Sequence, residues 1–576
     1  MTEPRHHDGE DGEFFISFKP DSLSRDFLSP SEDNFGLLTE RISWLQKALL
    51  KKGSQRPGIR DMAEVFKYSE ELKDSQLPRG AATQRLALWK SLEAFEGTFR
   101  PHHPHSLFNI APSPMIDAVA LSALTIMNNP NAIWDLSSGK FSLIEQRVIR
   151  YLGTLAGWSS PPDGAFTSGG KATLMYAVKM GLNICDPAVV KTGARNKYLV
   201  IASPAVHFSL ESVCNFLGVG TNSCARVPAD SHGRIDTAAL KKILLDAIGT
   251  DQLIPAIILG GGALIDTKAD PVREVRQILL DVVAKKGLAY VPPIHLDCVV
   301  TWPWLAFRHT FVEEYDELRC RARLSIRELA MQVSEVEAAD SFGVDFHKTG
   351  LTPYASSCFV TRNSNAFRQL NYSSGEIPFE EDYYGQFCSF DRTLENSRSC
   401  TGIISAYYVL LRLGSEGLQR YIIRWTEISD DIRVLIAGRF QALGMVVNQS
   451  SLGIDVVIRL NLGMSDDTVR NLEFSPLAVQ QEYKTLAMGF REWTLSSAYC
   501  RTSPVPILGY IPQYRPSPSS EAFPAFLLFP NSLYSSVAEL SDVLTRLSDA
   551  INEFLKQKDH IALGAMDWEG RPLPPR

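Results

Sequence analysis

A chain of 576 residues in which 45% are apolar and 21% charged can bury a substantial core, which excludes wholesale disorder and fits one large α/β domain with smaller appendages. Its formal net charge of −7, with no long basic run, excludes a surface that tracks phosphate backbones, so nucleic acid is not an expected partner. The nine cysteines contain no C-x-x-C pair and no stretch is apolar for the roughly 18 residues of a membrane helix; no metal site, disulfide scaffold or membrane partner is expected, and a reducing cytoplasm is the default compartment.

In chain order, residues 1–35 are polar and acidic and read as a mobile arm. A helical pattern opens at FGLLTERISWLQKALL, where apolar residues recur at three and four positions, and an N-terminal arm and helical segment are expected over 1–102. From 103 to 415 short β-like runs alternate with longer helical ones. Strands are expected over 198–203, 256–262, 289–297, 341–346 and 357–363, with helices over 171–183, 238–248 and 271–287. That alternation implies βαβ units, hence a large α/β domain with a mostly parallel sheet covered on both faces. A smaller C-terminal α+β domain is expected over 416–576, with helical texture in 417–444 and 535–558, strand texture in IDVVIRLNL and a Pro-, Ser- and Tyr-rich loop at 502–520.

Four places in the α/β region carry chemistry, each where a strand ends or a helix begins. Ser168-Gly169-Gly170 follow Thr167 directly before a helix, where backbone N–H groups and the helix dipole favour an anion; a plain structural turn has the same look. His207 lies just beyond a strand, placed to stack on a planar ligand or, more simply, to cap the next helix. Asp297 ends the apolar run PPIHLD, and a buried carboxylate there must face a cation or a strong donor. Lys348, in Asp345-Phe346-His347-Lys348, leaves a buried strand into a cleft; desolvation there would lower its pKa and free the amine to attack an aldehyde.

Taken in order, HPHSLFNIAPSP, NPNAIWDLSSGKFSLIEQRVIRYLGTLAG, DGAFTSGG, VHFSLESVCNFLGVG, IHLD, ADSFGVDFHKTGLTPYASSCFVTR and TLENSRSCTGIISAYYVLLRLGSEG resemble the group II pyridoxal-phosphate-dependent amino-acid decarboxylases, the glutamate, aromatic L-amino-acid and diaminobutyrate group, over about 103–415 and more loosely to 560. The resemblance implies the fold type I architecture of the pyridoxal-phosphate-dependent transferases, a homodimer and pyridoxal 5′-phosphate carried by Lys348 as a Schiff base. It implies His347 beside the phosphate, Asp297 at the pyridine nitrogen, His207 over one face of the ring with Val299 under the other, and Ser168, Gly169 and Gly170 around the phosphate. Tyr383 and Tyr384 fall where the family has a mobile loop whose tyrosine delivers a proton; Arg398 matches its basic residue at a helix start.

Several positions depart from the family. Lys171 and Ala172 stand where a hydroxyl residue follows the glycine pair, Val299 replaces an alanine, Leu264 falls where a hydroxyl is expected, and Thr349 replaces the usual Trp after the lysine. The stretch from Asp297 to Lys348 is longer than the family's, which points to an insert at 312–332, read as a helix. The expected activity is decarboxylation of an L-amino acid, a small-molecule substrate, to carbon dioxide and an amine. Oxidative deamination, another α-bond cleavage or transamination on the same fold is the alternative, and a non-catalytic descendant the third reading.

Overall fold

A computed structural model of the chain describes residues 35–51, scattered residues between 28 and 101, and 103–557 except 263–264, 310–318, 371–387, 390–391 and 495–504. The chain forms two compact units. The smaller takes the described residues of Met1–Ser106, Met488–Ile507 and Thr545–Arg576. It includes α1 (Phe35–Lys51), at the position expected from the apolar spacing, and a ring cluster of Phe490, Trp493 and Phe554 with centroids 5.5–6.2 Å apart.

The larger unit, Leu107–Ala487 with Leu508–Leu544, carries the sheets. Its main sheet has seven strands: β1 (Asp163–Thr167), β2 (Val200–Ala202), β3 (Cys224–Arg226), β4 (Ile257–Gly260), β5 (Ile294–Asp297), β6 (Ser341–Asp345) and β7 (Ser357–Thr361), in the order β1-β7-β6-β5-β4-β2-β3. The neighbours from β6 to β3 pair parallel, and only β7 runs antiparallel, to β1 on one side and β6 on the other. Five of these strands lie inside the expected ranges. The third of those begins five residues late, at Ile294, because Pro292 and Pro293 have no N–H to give to a ladder.

Alternate residues of each strand enter two apolar layers, the mark of a sheet covered on both faces. Phe166, Ile201, Ile257, Leu259, Leu296 and Phe342 join one; Ala165, Val200, Ala202, Ile258 and Phe359 join the other. The first layer is built with α3 (Phe141–Leu155), the second with α4 (Gly170–Cys185) and α5 (Ser209–Phe216), while α2 (Ile116–Asn128) packs on the helix Thr401–Ala437. The first also takes α6 (Thr237–Gly249), α7 (Val272–Lys286) and α8 (Cys320–Ser334). α8 is the helix expected inside the insert, shifted towards its end. It buries Ile326 and Leu329 completely, each contributing about 1.5–3 kcal/mol of apolar burial, and packs on a buried 3₁₀ run, Trp302–Phe307.

α9 (Thr401–Ala437) turns at Gly414, whose φ of 59° suits glycine, and continues through most of the expected C-terminal helix. Four strands of the five-stranded second sheet, β8 (Gly444–Val446), β9 (Val456–Leu460), β10 (Ile507–Tyr514) and β11 (Phe523–Leu528), run in the order β10-β11-β9-β8 and pair antiparallel, and the two-residue strand Ser106–Leu107 lies beside β10. β10 corrects the loop expected at 502–520. Its strand is short of apolar alternation because Pro512 and Gln513 interrupt it, and the Ser-rich turn at 515–520 keeps the loop character.

Candidate active site

The candidate residues gather along the carboxyl edge of the main sheet, where α/β folds bind ligands. The register sets strand ends side by side: Gly260 opposite Asp297, Asp297 opposite Gly343, Asp345 opposite Ser357, and Ser357 opposite Thr167. By alternation Asp297, Gly343 and Asp345 share the face turned to α4. Gly343 is needed there, since a Cβ would stand 2.4 Å from Thr173 Oγ1 and push the helix off the strand.

Lys348 sits on one helical turn, Phe346–Thr349, directly after β6. Phe346 pins that turn: it is fully buried, stacked on Phe166 at 5.8 Å and tilted against Trp302 at 4.9 Å. Lys348 Nζ lies 2.8 Å from Asp345 Oδ2, with the side chain 26% exposed. Burial alone would depress the lysine, as expected from the sequence, but Asp345 and then Asp297 outweigh it and hold its pKa above the ordinary value. The expectation of a depressed Lys348 pKa is therefore corrected by a neighbour, Asp345, that the sequence does not single out.

Asp345 gathers three partners around one carboxylate. Ser357 Oγ donates to Oδ1 at 2.5 Å, Lys348 reaches Oδ2, and His347 Nε2 stands 3.7 Å from the same oxygen. The signal available in the sequence is its spacing, three residues before a lysine at a helix start. His347 is buried, its Nδ1 3.0 Å from the Ser356 carbonyl and 3.2 Å from the Ser356 N–H, and its ring 4.3 Å from that of Tyr354. Burial is the main reason its pKa is lowered. Tyr354, 65% exposed and marked by no sequence signal, stands close enough for the Lys348 charge to act on its hydroxyl.

Asp297 is buried, and the hydrogen bond its carboxylate has among the described residues is one long N–H from Val299, at 3.5 Å. Desolvation pushes it up to about 6, against the opposing pull of Lys348. Beside it, the Ser168-Gly169-Gly170 turn closes on Val299 and Asp345: a Cβ on Gly170 would meet Val299 Cγ1 at 3.0 Å and Asp345 Oδ2 at 3.1 Å. Lys171 leaves the turn, its Nζ donating to Ser212 Oγ at 2.7 Å and lying 4.7 Å over the Phe216 ring. The hydroxyl missing at position 171 occurs at Thr173, where Oγ1 donates to the Gly170 carbonyl at 2.7 Å.

His207 Nδ1 accepts the Ser209 N–H at 3.2 Å, which leaves the proton of the neutral ring on Nε2. Partial burial and then the Lys348 and Arg226 charges lower its pKa, so Lys348 and His207 sense each other. Arg226, at the end of β3, gathers the loop that presents His207. It donates to the carbonyls of Ser203, Val206 and His207 and is held by both oxygens of Glu211 at 2.8 and 2.9 Å. Arg398 forms a buried pair with Glu145 and also donates to the Phe166 carbonyl at 3.1 Å, while Glu145 accepts the Phe166 N–H at 2.7 Å. The pair therefore clamps β1 one residue before Thr167. Tyr383, Tyr384 and Leu264 lie outside the described residues.

No family model matches the chain. It is 22% identical over 472 residues to an L-2,4-diaminobutyrate decarboxylase of Acinetobacter baumannii, an alignment covering 76% of this chain and 84% of that one. It is 31% identical over 178 residues to human cysteine sulfinic acid decarboxylase, 30% of this chain and 35% of that one. In fold it is similar to the crystal structure of mouse CSAD, with a TM-score of 0.71 at 18% identity, covering 89% and 98% of the two chains. The chain is related in sequence to the group II pyridoxal-phosphate-dependent amino-acid decarboxylases and has their fold type I architecture.

Proposed function

We propose that the protein is a pyridoxal 5′-phosphate-dependent carboxy-lyase that releases carbon dioxide from an L-amino acid and forms the amine. The observation that carries this reading is Asp297, a buried carboxylate with one long protein donor among the described residues, on the same strand edge as the only partly covered Lys348 amine. A buried anion in that state needs a cation, and a protonated ring nitrogen supplies one. The residues fit the cofactor. Lys348 would hold its aldehyde, Asp297 would face the ring nitrogen, His207 and Val299 the two ring faces, His347 and Ser168-Gly169-Gly170 the phosphate. When bound, the cofactor supplies the electron sink into which the bond to the departing carboxylate empties.

The chain's own residues do the rest. Asp345 holds the Lys348 ammonium in place at 2.8 Å and is itself fixed by Ser357, so the amine stays at one position on the strand edge. His207 offers its Nε2 proton from a ring locked through Nδ1. Asp297, with a pKa near 6, is a carboxylate above neutral pH. For Tyr383 and Tyr384 we keep the role of proton delivery in a closing loop.

We also infer a cytoplasmic homodimer. What supports the dimer is α2, whose outward face is apolar: Ile116, Val119, Leu124 and Ile126 are 86, 44, 50 and 67% exposed. No described helix is long and apolar enough to cross a membrane. The domain division at 102 and 415 likewise stands as a proposal. The test is a panel of L-amino acids with the cofactor-loaded protein, following carbon dioxide, amine and oxygen uptake. Carbon dioxide and amine in equal amounts, abolished in Lys348→Ala, is the expected result; carbonyl product with oxygen consumed would overturn simple decarboxylation.

A further inference from the structure

At the other end of β1 from the glycine turn, α3, the segment before it and the loop at Pro161–Asp163 enclose a cavity of about 790 Å³, within the size range of small-molecule sites. Five cations line it: Lys140, Arg147, Arg150, Arg368 and Arg392. Asp135 and Asp163 are the lining carboxylates, and Asp163 is already shared between Arg392 at 3.5 Å and Arg368 at 3.6 Å. Lys140, Arg147 and Arg150 make no ion pair among the described residues. In a chain of net charge −7 this is a local excess of positive charge that runs against the molecule as a whole.

A second observation points the same way. Gln146, on α3 beside Arg147, has its Nε2 buried with no acceptor among the described residues, although it borders the cavity. Buried donors are almost always satisfied, and apart from the Asp135 and Asp163 carboxylates the charged and amide groups turned to the cavity are donors: one ammonium, guanidinium forks and an amide N–H. Guanidinium forks match planar carboxylate and tetrahedral phosphate oxygens two at a time.

We propose that this cavity is a second binding site, for a small molecule carrying two or more anionic oxygen groups, phosphate or carboxylate. It is separate from the cofactor turn. Asp163 and Thr167 are the two ends of β1, so the sites stand roughly 13 Å apart at about 3.3 Å per residue.

The test uses the cofactor-loaded protein, whose own phosphate turn is already filled, titrated calorimetrically with inorganic pyrophosphate and separately with citrate at fixed ionic strength. Saturable binding of one equivalent per chain is expected with at least one probe, weakened about tenfold or more in Arg147→Gln/Arg150→Gln, with unchanged cofactor absorbance and melting temperature. Preference for one probe identifies the ligand chemistry as phosphate or carboxylate. Absence of saturable binding by either probe, an affinity the double variant leaves unchanged, or binding that displaces the cofactor would overturn the proposal. So would a double variant that binds the probes normally but changes oligomeric state, which would make these cations a subunit contact.

Discussion

Asp297 and Lys348 each carry a charge that the cofactor-free protein must support by itself, and the two respond to pH in opposite ways. The Asp297 pKa is raised from 3.8 to about 6. Below about pH 4 the carboxyl is protonated in folded and unfolded chains alike and costs nothing. Between about 4 and 6 the unfolded chain ionises first, so stability falls as pH rises, and above 6 the full penalty stands, on the order of 3 kcal/mol. Asp297→Asn in cofactor-free protein should then match or exceed wild-type stability at pH 8 by up to about that amount and converge with it at pH 4. Melting temperatures of both proteins across that range check this, and an Asn variant less stable at pH 8 would refute it. Lys348 has its pKa raised, because Asp345 and Asp297 more than offset burial. Only the neutral amine attacks an aldehyde, so cofactor uptake by the cofactor-free protein should quicken as pH rises. Asp345→Asn leaves burial with less opposition and should move that profile down by about one pH unit or more, read by stopped-flow absorbance. A profile that stays in place would show that Asp345 does not set the amine's charge.

Among the elements, strands buried on both faces are legible because they read as unbroken apolar runs: IILG, IHLD and SCFVT need no partner to be recognised. β1 does not stand out as a strand, since DGAFT is short, opens on Asp-Gly and pairs antiparallel with a strand nearly 200 residues later. What holds it is equally remote. Glu145 on α3 and Arg398 before α9 meet at Phe166, and neither residue's neighbours in sequence announce the other. The Lys348 turn is legible as a motif, whereas its anchor, the Phe166–Phe346–Trp302 ring stack, joins three separate segments. Breaking the β1 clamp tests its weight. Glu145→Ala strands the Arg398 guanidinium, 5% exposed, and also orphans the Phe166 N–H, so a loss of about 3–5 kcal/mol is expected. Because β1 leads into Ser168-Gly169-Gly170, cofactor affinity should fall as well. Denaturant midpoints and cofactor titration of Glu145→Ala against Glu145→Gln read both effects, and a wild-type midpoint in the alanine variant would count against the clamp.

At the scale of the whole molecule, α2 is the feature that a single chain leaves unexplained. Its inward face packs on α9, with Ser122 Oγ 2.7 Å from Ser405 Oγ, while Ile116, Val119, Leu124 and Ile126 project outward. Isolated exposed apolar residues are ordinary, but four on the same thirteen-residue helix are a concentration of the kind that marks an interface. A two-fold dimer buries such a patch against its own copy. The sequence shows that IDAVALSALTIMN is apolar, yet a helix apolar on most sides is equally a core helix, and only the fold reveals which side has no cover. The expected outcome is a two-chain species in light scattering after size exclusion, shifted to one chain in Val119→Glu/Ile126→Glu. Each charge would otherwise be buried without a partner at the interface, at a cost well beyond a single surface substitution. Helical content by circular dichroism should stay unchanged in the variant, since both positions face away from the chain's own core. If the wild-type protein proved a single chain, or if the double variant stayed paired, the interface would have to be sought on another face.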